Sequence, residues 1–214
     1  MKWKHSSILA VSTVALVGLV GCAPTSTGEM PTSTPTQEPS AEPSTEPSTP
    51  AEPDPADPST WIISDAGVGP IEIGGDLAAT LGELPDTWRN DTENCAWTAW
   101  WSDADAGYGI FFVRGTESET SPIGEISVHR EAEGTVEGVG PVTADGLGLG
   151  ATNEEVLEQH PDAQEGTAQI GGGTWIMLDG DAEAHVFFEF REGESAASDV
   201  TVTTRSEPSY EVCG

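Results

Sequence analysis

Lysine disappears from this chain after residue 4. Lys2 and Lys4 are its two lysines, and five arginines are left to face 37 carboxylates, giving a formal net charge of −30. So acidic a chain repels nucleic-acid phosphates and anionic lipid head groups, which excludes electrostatic nucleic-acid binding. The acidity serves solubility, or it steers a basic partner or a metal ion. Composition leaves both open. Histidine is scarce too: after His5 come His129, His160 and His185, and none has a partner at metal-ligand spacing. Neither a Gly-x-Ser-x-Gly elbow nor a His-Glu-x-x-His stretch occurs, so two familiar hydrolase signatures are missing. Long apolar runs are missing as well. Ile8–Val20, almost wholly apolar, has 13 residues, too short to cross a bilayer comfortably but suited to the core of an export signal.

That run comes after the two lysines and ends in Leu19-Val20-Gly21-Cys22. The ending resembles the lipobox of bacterial lipoproteins. The resemblance implies a signal peptide over 1–21, cleavage before Cys22, and a diacylglycerol on its sulfur with further acylation such as palmitate. Two or more acyl chains anchor stably, since each buried methylene contributes roughly 0.8 kcal/mol. The expected location is the extracytoplasmic face of the membrane, with Cys22 as the lipidation site.

Residues 22–60 read as a lipid-anchored, disordered tether. Ten of the 16 prolines lie in 23–60, with many Ser, Thr and Glu and no aromatic residue. Such a segment has too little apolar surface to offset its chain entropy. Residues 61–214 are enough for one core of their own. With Cys22 acylated, Cys95 and Cys213 remain, and two cysteines in an exported domain point to a disulfide, free thiols being the alternative.

The folded part reads as a duplication, with repeat 1 over 61–138 and repeat 2 over 139–214. A shift of 76 residues superposes Gly74 on Gly150, Leu81 on Leu157, Pro85-Asp86 on Pro161-Asp162, and Phe111-Phe112 on Phe187-Phe188. The same shift carries Asp103 and Asp105 onto Asp179 and Asp181. Asp76 caps a helix with Leu77, Leu81 and Leu84 on one stripe, stopped by Pro85. Thr152 and Glu155 form a capping box for the second helix. Aromatic and apolar strands come next over 96–102, 108–114 and 123–130, then over 174–178, 184–191 and 200–205. The expected class is α+β: two tandem repeats of a helix plus an antiparallel meander, joined into one curved sheet with helices on one face.

Together with Leu149-Gly150-Ala151-Thr152-Asn153-Glu154-Glu155-Val156-Leu157, and its counterpart Ile73-Gly74-Gly75-Asp76, this pattern resembles the beta-lactamase inhibitor protein family. The small outer-membrane lipoproteins of envelope assembly carry a single-repeat version. The resemblance implies a long curved sheet with an open concave face and no catalytic residues. In that family, turns between strands enter a target enzyme, and Asp103-Ala104-Asp105 occupies the comparable turn here. The inhibitor's disulfides are local to each half, whereas this chain offers Cys95 with Cys213.

The paired acids Asp103/Asp105 and Asp179/Asp181 look like the start of a calcium loop. A Glu is needed eleven residues after the first Asp, and Arg114 and Phe190 stand there instead. Turn chemistry accounts for these aspartates, with calcium the alternative. No metal site and no cofactor is therefore expected. Strand alternation sends Trp97 and Trp101 to one face and Trp100 to the other. Phe111 and Phe112 split between faces, as do Phe187 and Phe188. Aromatics on both faces serve a second covered layer or a partner. The resulting expectation is a non-catalytic protein-binding lipoprotein whose partner is another extracytoplasmic protein. Its binding residues are Trp97, Trp100, Trp101, Asp103, Asp105, Phe112, Trp175, Asp179 and Asp181. A small-ligand or glycan-binding module is the alternative, and a hydrolase using paired acids is the third reading.

Overall fold

The computed structural model describes residues 53–131 and 140–213. The signal, Cys22, the tether as far as residue 52 and the repeat boundary expected at 138/139 lie outside the described residues. Residues 53–60, counted with the tether in the sequence, are ordered against the domain. They hold a 3-10 turn, Pro58–Thr60, capped by Asp57, and the Trp61 indole N–H donates to Asp54 O at 2.7 Å.

Three short strands, β1 (Ile62–Ser64), β2 (Gly67–Val68) and β3 (Ile71–Glu72), precede helix α1 (Leu77–Glu83). Next come β4 (Arg89–Asp91), β5 (Cys95–Asp103), β6 (Tyr108–Arg114), β7 (Ile123–Arg130) and β8 (Val142–Thr143). Helix α2 (Asn153–Gln159) leads into β9 (Gln164–Thr167), β10 (Thr174–Leu178), β11 (His185–Phe190) and β12 (Asp199–Thr203). Eight strands form one antiparallel sheet in the order β4-β5-β6-β7-β12-β11-β10-β9. The first four and the last four are each a meander, and β7 pairs with β12 at the centre. The other four form a small sheet, β3-β2-β1-β8, in which β1 and β8 run parallel.

The expected α+β class is corrected: the described chain is mostly β. Two helices of seven residues each are too short to roof an eight-stranded sheet. Within its span α1 buries Leu77, and α2 buries Val156. The small sheet supplies much of the opposing layer instead, with Trp61, Ile63, Val68 and Ile71 all buried. Strands of two or three residues carry no readable alternation, so this layer leaves no periodic signal.

Register explains the core. Phe112, Ile126, Val202, Val186 and Leu178 face one another across successive strands. Ile110, Val128, Val200, Phe188 and Ile176 form the next row. Both rows belong to the buried cluster, except the half-buried Leu178, which packs against it. Each such side chain contributes roughly 1.5–3 kcal/mol on full burial. At one end an aromatic stack closes the core: Trp61 lies parallel to Trp88 at 6.2 Å, Trp88 meets Phe112 at 5.6 Å, and Trp101 meets Tyr108 at 5.4 Å.

Both helices start alike. Asp76 accepts from Ala79 N, and Thr152 with Glu155 makes a reciprocal capping box. Each start is preceded by a glycine at positive φ, Gly74 at +85° and Gly150 at +83°, a conformation that other L-residues adopt at a cost. The helices lie 76 residues apart. The gapless offset fails at the hairpin beyond each helix. Met177, not Ile176, stands opposite Phe187, in the place Trp100 holds opposite Phe111.

Candidate functional site

The face of the large sheet away from the core carries its own row: Trp100, Phe111, Ser127, Thr201, Phe187 and Met177. A parallel row on the same face is His129, Asp199, Glu189 and Trp175. The chain after β12 turns back over this face. Glu207 accepts the Trp175 indole N–H at 3.3 Å. Ser209 donates from its backbone N–H and hydroxyl to Glu125 Oε2 at 3.2 and 3.1 Å. Val212 O accepts the Trp97 indole N–H at 2.7 Å, and Cys213 is bonded to Cys95. The tail thus crosses from β10 past β7 to β5, and the disulfide, spanning 118 residues, fastens its end.

Beside that end lies a groove of about 480 Å³, with Trp100, Phe111 and His129 along it, Asp91 and Glu131 at its rim, and Val212 and Cys213 forming a wall. Trp100 is 36% exposed. Asn94 donates through its side chain and its backbone to Asp91, and these bonds hold that carboxyl below its usual range. The groove is therefore an aromatic floor with an ionised edge. His129 stands between the two, 5.6 Å from the Phe111 ring and 3.3 Å from Glu131 Oε1.

Across the tail is a second cleft of about 460 Å³, where Trp175, Tyr210 and Ile170 meet Glu189, Asp199 and Glu207. Burial, with Asp199, Glu125 and Glu207 adding to it, pushes Glu189 up to about 7, against a bond to Thr201. Thr201 Oγ1 lies 2.7 Å from Glu189 Oε1 and 3.0 Å from Ser127 Oγ. Burial also raises Glu125, opposed by its bonds to Ser209 and Thr203. Glu207 is held down by bonds from Tyr210, Gln169 and Trp175.

The residues singled out from the sequence part company here. Trp100 lines the groove. Trp97 reaches the tail instead of joining Trp101, because β5 pairs irregularly with β4 along this stretch. Trp101 packs into the core against Trp88 and Tyr108. Phe112 is fully buried, so the phenylalanine that shares a face with Trp100 is Phe111. Trp175 is half-buried, edge-on to Phe187 at 5.4 Å.

Asp103 Oδ1 accepts from Asp105 N and Ala106 N at 2.9 and 3.0 Å, which is turn chemistry. Asp179 takes Gln164 Nε2 at 3.0 Å and lies 3.6 Å from His185, while Asp181 is exposed. Register places the 103–105 turn at the Thr174 end of the sheet and the 179–181 turn at the Thr98 end. The two acidic turns share no site. Among the described residues no group of three His, Cys, Asp or Glu side chains is arranged to hold a metal ion. No local sequence signal pointed to Asp91, His129, Glu189 or the tail as parts of this face, since each joins it through register or long-range contact. Comparisons with protein-family models, with curated proteins and with solved structures found no match.

Proposed function

We propose that this chain is a non-catalytic protein-binding domain, held by acylated Cys22 at the extracytoplasmic face of the membrane, that takes its partner in the Trp100 groove. One observation carries the reading: Trp100 stands exposed over Phe111 at the edge of an ionised rim. Aromatic anchors in partly desolvated grooves are where binding energy concentrates. The chain's charge of −30 selects a basic partner, and Lys or Arg gains further from the face of an indole. The tether, if as extended as its prolines favour, reaches up to ~3.1 Å per residue and sets how far from the membrane that partner lies.

Incorporating a photo-cross-linking phenylalanine analogue at position 131 of the anchored protein, on the rim of the groove, tests this directly with Trp100 in place. A discrete protein adduct is expected from position 131 and not from position 62, which is also exposed but lies in the small sheet. Equal labelling from both positions, or none from 131, counts against the groove.

The second cleft favours a second reading. Trp175 and Tyr210 with converging Glu189, Asp199 and Glu207 present aromatic and polar groups together, a combination that suits a glycan or small ligand. Saturable glycan binding that Trp175→Ala removes and Trp100→Ala leaves intact supports it over the protein partner.

A further inference from the structure

Residues 204–213 cross the face of the large sheet away from the core, and over its β10–β12 half what they close over is acidic. Glu189 on β11 is faced by Asp199 from β12 and by Glu207 and Tyr210 from the tail, with Glu125 on β7 near enough to repel it. Glu192 and Glu194 line the same cleft. Three cations stand near: Arg130, 2.7 Å from Glu194, Arg191, 4.0 Å from Asp199, and Arg205, which acts on Glu125. His129 lies beyond Asp199 on β7. Ser209 is held by Glu125, and Gln169 donates its backbone N–H to Tyr210 Oη at 2.7 Å. The middle of the tail is therefore fastened by hydrogen bonds among carboxylates, and its end by a covalent bond.

We propose that residues 204–213 form an acid-closed strap, lying down on the second half of the sheet face at acidic pH and lifting in its middle at alkaline pH while the Cys95–Cys213 bond keeps its end attached. A neutral Glu189 adds no charge to this crowd. An ionised one sets a negative charge against Asp199, Glu125 and Glu207 in a half-buried place where repulsion is weakly screened. The tail is the part that can yield, because the strands are held by their ladders. Lifting uncovers Trp175 and Phe187. Val212 and Cys213, held by the Trp97 indole and the disulfide, stay in place as the wall of the Trp100 groove.

Amide hydrogen exchange on the full chain in detergent, with no partner present, tests the strap separately from the groove. The readouts are the Ser209 and Gln169 amides followed from about pH 3.5 to about pH 8.5, corrected for intrinsic exchange. Protection of both is expected to fall by about tenfold, with a midpoint near 7, while Val200 and Phe188 stay protected. Glu189→Gln is expected to remove the pH dependence. Equal protection across that range, or a fall that persists in Glu189→Gln, overturns the proposal. Should that variant not fold, the midpoint in the unaltered chain decides: one near 4.5, the ordinary carboxylate range, contradicts it.

Discussion

Trp100 and Trp175 stand on the same face of the large sheet, on β5 and β10, about 24 Å apart at ~4.8 Å per strand step. Trp100 is 36% exposed and opens onto a groove. Trp175 is half-buried, packs on Phe187 and donates its indole N–H to Glu207 of the tail. The two meanders offer comparable aromatic surfaces, and one stretch of irregular chain makes them different. The fold supplies a face, and the tail covers part of it.

Releasing the tail breaks this contrast most severely. Cys213→Ser opens a 118-residue loop, and the chain-entropy model puts the loss of stability at about 4–5 kcal/mol. A drop of that order in denaturant unfolding is expected, with Trp175 and Phe187 exposed beforehand. Next comes the divide between the two faces. Phe112→Ala, in the core, is expected to cost about 3–5 kcal/mol. That cost sets Phe112 apart from Phe111 on the opposite face, and equal effects of Phe112→Ala and Phe111→Ala would show the faces wrongly assigned.

The acids under the strap give a smaller, pH-dependent effect. Glu189 binds its proton more tightly folded, at about 7, than unfolded, at about 4.5. Its contribution is therefore fully present below about pH 4.5, declines as pH rises through 7, and is constant above. The loss is at most about 3 kcal/mol. Thermal unfolding of the unaltered chain against Glu189→Gln, between about pH 4 and about pH 8.5, isolates it. Helix caps should matter less: Thr152→Ala and Asp76→Ala are each expected to cost about 1 kcal/mol. Trp100→Ala is expected to leave the fold intact and to remove capture of the proposed partner in a pull-down.

Local signals in the sequence reported local structure well. The caps at Asp76 and Thr152, the stop at Pro85 and the long strands β5 to β7 arise from residue types over a few positions. The Cys95–Cys213 bond was legible from counting thiols. The small sheet did not announce itself, because Gly67–Val68 and Ile71–Glu72 are too short for a period. That omission turned a mostly β fold into an expected α+β one. The site was half legible. Composition marked the tryptophans, but facing depends on hairpin register, and one residue of slip exchanges Phe112 for Phe111. The tail's role has no local signature, since Glu207 and Ser209 reach partners on β10 and β7 through the folded sheet.

Hydroxyl-radical footprinting of the two tryptophans, before and after release of the tail by Cys213→Ser, separates an open face from a covered one. Trp100 is expected to be oxidised several-fold faster than Trp175 in the intact chain, and release to raise the Trp175 rate toward it. Equal rates in the intact chain, or a Trp175 rate indifferent to release, would contradict that separation.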